Sequence, residues 1–312
     1  MIRRMRRLVF ALSLLAAPAA AYVQVSDVRI IPAPDLGPTP PPVPLPDFAQ
    51  MGEAELRALL RGHRLDPGAR ADAIRGLRQR FPSDATTAFA LNAEARTHLD
   101  LWETDRALAL YRQVRTRFAR SRDAAVEAEI AAAMQGEVQA IEMAEAHAYT
   151  GPPRPVTQAD LDPDRPGNRL RREIVDRFAG RTEPAIRRIV AQERFNLIQS
   201  ETLRSGRHSD PARYMALVRE YEESDDPELR RLVARILFDI AGGAGNGRPA
   251  ITHWDEFLRR FGQSADPELR SLVFDAYDNK HYVLEQLGDD EAAARVRTQQ
   301  WAWSERNDGW GD

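Results

Sequence analysis

The 312-residue sequence contains no cysteine and a single lysine, Lys280. Without cysteine no disulfide can staple the chain and no thiolate can hold zinc, so stability must come from burial alone. Aromatic residues make up only 7%, and no apolar run reaches the roughly 20 residues needed to span a bilayer. His-Glu-x-x-His, Gly-x-Ser-x-Gly and phosphate-loop motifs are all missing. So is a large positive charge. The formal net charge is −3, which argues against an overall attraction to nucleic acid or anionic lipid. What remains is 43% hydrophobic and 29% charged residues, a soluble globular composition long enough for one extended helical array or two domains.

The beginning of the chain carries an export signal. Arg3, Arg4, Arg6 and Arg7 precede the apolar stretch Leu8 to Ala17, and Ala19-Ala20-Ala21 supplies an Ala-x-Ala cleavage site. This pattern predicts a secretory signal peptide over residues 1–21, with an uncleaved anchor as the alternative. No cysteine follows the site, so a lipoprotein anchor is not expected. Loss of the four leader arginines lowers the formal charge to −7. The expected location is the periplasm, with secretion as the alternative. Residues 22–50 then read as an extended linker. Pro32 to Pro46 holds eight prolines in fifteen positions, a polyproline-II or unstructured composition. It suits a spacer better than a docking peptide, because proline-binding groove modules are uncommon outside the cytoplasm.

From Gly52 the pattern is helical. Asp66-Pro67 opens a helix ending at Arg80-Phe81-Pro82, and Ser83 or Asp84 opens the next. After a turn at Trp102, a third runs from Thr104 to Phe118, and Asp123 to Tyr149 forms one long Ala/Glu-rich helix. The prolines of 150–168 predict a boundary loop between a first helical half (51–149) and a second (169–303), followed by a tail at 304–312.

The second half repeats. An aromatic residue is followed six positions later by proline at Phe178/Pro184, Tyr221/Pro227 and Phe261/Pro267. Arginine recurs three residues after each proline, at Arg187, Arg230 and Arg270, and an aliphatic pair follows at Ile189-Val190, Leu232-Val233 and Leu272-Val273. The prolines lie 43 and 40 residues apart, the period of a helical hairpin array. In the clearest copy Leu229, Leu232, Val233, Ile236, Leu237 and Ile240 make one apolar stripe, with Asp226 as the cap and Pro227 in the first turn. One hairpin cannot bury such a stripe alone, so successive hairpins must stack.

Residues 85–120 resemble a tetratricopeptide repeat. Ala95 occupies the close approach of two helices, Ala107 opens the second helix, and Tyr111 and Val114 face inward; Trp102 and Ala119 depart from that family's glycine and proline. The junction Leu287-Gly288-Asp289-Asp290-Glu291-Ala292 is similar to the turn of bacterial members, and the second half resembles a divergent class with a 40-to-44-residue period. The resemblance implies an all-α solenoid of stacked antiparallel hairpins that binds a protein or peptide. It brings no catalytic residue and no cofactor.

The search for chemistry ends mostly in structural roles. His63, His98, His147, His208, His253 and His281 form no ligand set, and Asp278 with His281 reads as a surface pair. Gly242 to Gly247 reads as a helix stop, and the acidic runs at Glu222–Asp226 and Asp289–Glu291 as favourable charges at helix starts. Two features point outward. Arg112, Arg115, Arg117, Arg120 and Arg122 make a basic strip able to meet an anionic partner, and Trp310 lies in a polar, glycine-containing tail. The expected partner-binding residues are therefore Arg112, Arg115, Arg120, Arg122 and Trp310. No catalytic, metal or cofactor-binding residue is expected. The expected function is a non-enzymatic exported scaffold that binds a protein or peptide in the cell envelope. The alternatives are a helical periplasmic enzyme acting on cell-wall material, or a structural spacer of an envelope complex.

Overall fold

The computed structural model describes residues 46–62, 65–148, 162, 164–205 and 211–307. The leader, nearly all of the proline linker, most of the 150–168 segment and the end of the tail with Trp310 lie outside those residues. One compact unit, Phe48–Thr150 with Thr157–Asp312, carries every described helix; the other, Met1–Asp47 with Gly151–Val156, falls almost wholly outside the described residues.

Among the described residues the protein is all-helical. The helices are α1 (Glu53–Arg61), α2 (Pro67–Arg80), α3 (Asp84–Asp100), α4 (Thr104–Arg117), α5 (Ala124–Ala148), α6 (Pro166–Arg177), α7 (Pro184–Ser205), α8 (Pro211–Tyr221), α9 (Pro227–Gly243), α10 (Arg248–Phe261), α11 (Arg270–Gln286) and α12 (Asp290–Arg306). A short 3-10 turn, Pro267–Leu269, leads into α11.

The start signals work as side-chain caps. Asp66 Oδ1 accepts from the Gly68 and Ala69 N–H groups at 2.9 and 3.0 Å, and Ser83 Oγ from Thr86 at 3.0 Å. Asp123, Asp226, Asp266 and Asp289 do the same for α5, α9, the α11 lead-in and α12. Each satisfies donors that the first helical turn leaves without partners, worth about 1 kcal/mol per cap. Proline opens α6 at Pro166, two residues before the end of the segment read as a loop. A proline in the first turn starts a helix as readily as an interior one breaks it.

Each helix packs on its sequence neighbour, and the longer odd-numbered helices also pack on one another: α3 on α5, α5 on α7, α7 on α9, α9 on α11. The reason is the stripe. Leu229, Leu232, Val233, Ile236, Leu237 and Ile240 of α9 are all buried, as are Trp254, Phe257 and Phe261 of α10. Phe238 meets Trp254 and Phe257 edge-on at 5.0 and 5.7 Å, contacts worth about 0.5–1.5 kcal/mol each beyond burial.

The core does not divide where the prolines do. One apolar cluster runs from Ala88 of α3 through Ile130, Met134 and Val138 of α5 to Ile174 of α6 and Ile186 of α7, joining the two helical halves. A second extends from Ala191 of α7 to Trp303, and a third covers Leu56 to Ala93. Where α4 crosses α5 the approach is closest: a Cβ on Gly136 would stand 2.3 Å from the Tyr111 ring. At the α3–α4 turn Trp102 has φ +64°, the left-handed conformation that glycine adopts freely. Its side chain is half exposed and faces the His147 ring at 6.3 Å.

Candidate functional site

Four turns joining an even to an odd helix share one construction. In the α4–α5, α6–α7, α8–α9 and α10–α11 turns, the aromatic carbonyl of Phe118, Phe178, Tyr221 or Phe261 accepts from the N–H three residues on, at 2.9–3.2 Å. In three of them a serine at that position (Ser121, Ser224, Ser264) takes the N–H of the capping aspartate at 3.2–3.3 Å. The turn at Phe118 shares the construction of the other three. It lacks proline and lies 60 residues before Phe178, so spacing alone did not show it.

An arginine ladder ties these turns together. Arg181 pairs with Glu127, Arg188 Nε with Asp226 at 2.6 Å, and Arg231 with Asp266 at 2.7 and 3.0 Å. The caps of α9 and α11 are therefore also inter-hairpin ion-pair partners. Arg231 beside Asp266 holds that carboxyl below the ordinary aspartate range. In the Pro184 and Pro227 copies the ladder uses the arginine four residues after proline, Arg188 and Arg231. The arginine three after it, at Arg187, Arg230 and Arg270, has no ion-pair partner among the described residues. Sequence reading singled out the latter and missed the former, because the two positions differ only in which way the helix turns them.

The basic strip separates into two parts. Arg112 donates to Glu137 at 2.8 Å, and Arg115 lies 3.5 Å from Glu137 and 3.7 Å from Glu173. Glu137 is buried on α5, so these two arginines serve helix packing. Arg120 and Arg122 stand exposed on the α4–α5 turn with no carboxylate partner among the described residues. The Arg117 guanidinium lies over Phe118 at 5.2 Å.

Next along the turns is a cleft of about 260 Å³ between the α6–α7 turn and the end of α8. Phe178, Val190 and Tyr221 form its floor; Arg181, Arg187 and Arg194 stand around it with one carboxylate, Glu220. Arg194 donates to Glu220 at 2.6 Å, and Arg181 is engaged by Glu127 and by Glu183 at 3.6 Å. Arg187 instead lies over the Tyr221 ring, 5.8 Å from its centre. Burial pushes the Tyr221 phenol up to about 12, so it stays neutral beneath the cation. A wider, shallow depression on α6 is lined by Arg169, Arg172, Glu173, Asp176 and Arg177, charges of both signs.

Other polar groups belong to the scaffold. Glu193, 2% exposed, receives Arg171 at 3.0 Å and Gln135 at 2.9 Å, while Arg171 also reaches Glu142 at 2.7 Å and Asn168 at 3.1 Å. This network bolts α5, α6 and α7 together. Asp239 of α9 is partly buried, its buried Oδ2 has no hydrogen-bond partner, and desolvation pushes the carboxyl up to about 6. Asp278 and His281 both face Arg297, at 2.9 and 3.4 Å, a surface arrangement. No group of three or more His, Asp or Glu side chains among the described residues is arranged for a metal. None of the described helices is long and apolar enough to cross a membrane. Trp303 fills the last hairpin between Phe274 and Tyr277, whereas Trp301 is 65% exposed on the outer side of α12. Compared with protein-family models and with curated proteins, the chain matches none.

Proposed function

We propose that the chain is an exported, non-enzymatic adaptor: an α-solenoid of tetratricopeptide-like hairpins that binds a protein or peptide in the cell envelope. The observation that carries the reading is the recurring turn. Three of the four copies spend an aromatic, a serine and a capping aspartate on this turn, and the positions between copies are left to vary. Helix-on-helix packing that steps from each odd helix to the next is the arrangement hairpin arrays use to share a continuous core. The tetratricopeptide likeness draws support from Ala95 and Ala107, both fully buried, and from Trp102, whose backbone adopts a glycine-like turn. The leader pattern supports a periplasmic location, with the proline linker as a spacer. The reading includes no cofactor, no nucleic-acid partner and no stable membrane insertion once the leader is removed.

The test is affinity capture from a crosslinked envelope extract, with the mature chain as bait. A specific partner that disappears on deleting residues 166–306 is the expected result. Hydrolysis of peptidoglycan by the purified chain, with no partner captured, would refute it and favour the enzyme alternative.

A further inference from the structure

We propose that the cleft between the α6–α7 turn and the end of α8 receives an acidic residue of the bound peptide, whose carboxylate meets Arg187. The inference rests on the adaptor reading and names the partner chemistry it lacks. Size comes first. At about 260 Å³ the cleft falls below the roughly 300–1,000 Å³ of small-molecule pockets, and it suits one or two side chains of an extended segment.

Charge comes second. Three guanidiniums face one carboxylate, yet they are not equivalent. Glu127 and Glu183 compensate Arg181, and Glu220 compensates Arg194. Of the three, only Arg187 has no carboxylate partner among the described residues. It is half-buried, resting on Tyr221 above the apolar floor. A guanidinium held over an aromatic ring by a cation–π contact keeps N–H groups for a two-pronged bond to a carboxylate. Partial enclosure strengthens that bond relative to one on an open surface. The floor of Phe178 and Val190 suits an apolar neighbour of the acidic residue.

The repeat provides the third argument. Residue 220 is glutamate where the other three copies have arginine before the aromatic (Arg117, Arg177, Arg260). Glu220 takes up Arg194, and Arg187 is left for a ligand. The copies thus differ at the residue that closes one side of this cleft.

The test uses fluorescence anisotropy on the full mature chain. The probe is a fluorescein-labelled Gly/Ser peptide with a central Asp-Leu-Glu, compared with its Asn-Leu-Gln counterpart. Wild type should bind the acidic probe at least tenfold more tightly than the neutral one. Arg187→Gln should erase that difference, Arg187→Lys should retain part of it, and the double variant Arg120→Gln/Arg122→Gln should retain all of it. Because Arg187→Gln also removes the contact with Tyr221, Ala179→Glu is the second variant. It adds a carboxylate at the exposed rim of the cleft, leaves packing alone, and should weaken the acidic probe equally. An unchanged preference in both variants overturns the proposal. Displacement of the probe by millimolar inorganic phosphate as readily as by unlabelled acidic peptide also overturns it, in favour of a small-anion site. If Arg187→Gln captures the envelope partner as wild type does, this inference fails and the adaptor reading stands; if wild type captures none, both fail.

Discussion

Asp239 allows a prediction whose sign is fixed by the structure. Its carboxylate lies on α9 with one oxygen buried and without a hydrogen-bond partner. Desolvation raises it from 3.8 to about 6, and Arg235 pulls back only in part. Tyr214 of α8 feels its charge, and that phenol, raised to about 12 by its own burial first, offers no cation. The folded state therefore binds a proton more tightly than the unfolded chain does. Below about pH 4 both forms are protonated and there is no penalty. Between about pH 4 and 6 the penalty grows, and above that it is complete. Two pKa units at about 1.4 kcal/mol each give an upper bound near 3 kcal/mol. Asp239→Asn keeps the size and removes the charge. The variant should match wild type at pH 4 and exceed it by about 1–3 kcal/mol at pH 8, the lower end allowing for amide groups left unsatisfied. Urea unfolding followed by circular dichroism from pH 4 to 8 measures this, and the variant difference cancels the other carboxyls. Parallel pH profiles, or a destabilised variant at pH 8, would show that Asp239 is paired and the reasoning wrong.

Other perturbations test the packing. Gly136→Ala should destabilise by about 1–2 kcal/mol although alanine favours helix by about 1 kcal/mol, because its Cβ would strike the Tyr111 ring; in a Tyr111→Ala background the same change should stabilise. Glu193→Ala should cost about 1–3 kcal/mol in denaturant unfolding, because Arg171 Nε and Gln135 lose their acceptor while Arg171 keeps Glu142. At Trp102, glycine should be more stable than alanine by roughly 1 kcal/mol, since only glycine tolerates φ +64° without strain; equal stability would mean the turn relaxes.

The helix starts were legible in the sequence because their cause is local. Asp66, Ser83, Asp123, Asp226 and Asp266 act within three residues of themselves, and the α9 stripe follows helix periodicity. What was not legible depends on residues far apart in the chain. Glu127, Glu137 and Glu193 look like solvent-facing positions until arginines from the α6–α7 turn and from other helices cover them. A count of apolar spacing has no term for a buried pair. Gly136 similarly gives no sign of Tyr111, 25 residues earlier, and the proline-free copy at Phe118 is hidden by the long α5 and the segment after it. Of the candidate site, Arg120 and Arg122 are exposed on the α4–α5 turn. Arg112 and Arg115 are occupied by Glu137. The cleft itself, formed by Arg187 over Tyr221 from different helices, had no signal beyond the recurrence of the arginine.

Everything proposed for the surface depends on α5, α6 and α7 forming one body despite the intervening prolines. Hydrogen exchange with rising denaturant measures that directly. The slowest amides of α5 around Ile130 to Val138 and those of α6 and α7 around Ile174 and Ile186 should open with one shared free energy and one denaturant slope, as members of a single core cluster. Two distinct opening energies divided at residues 149–165 would contradict it, and would mean that the chain is two independent helical domains.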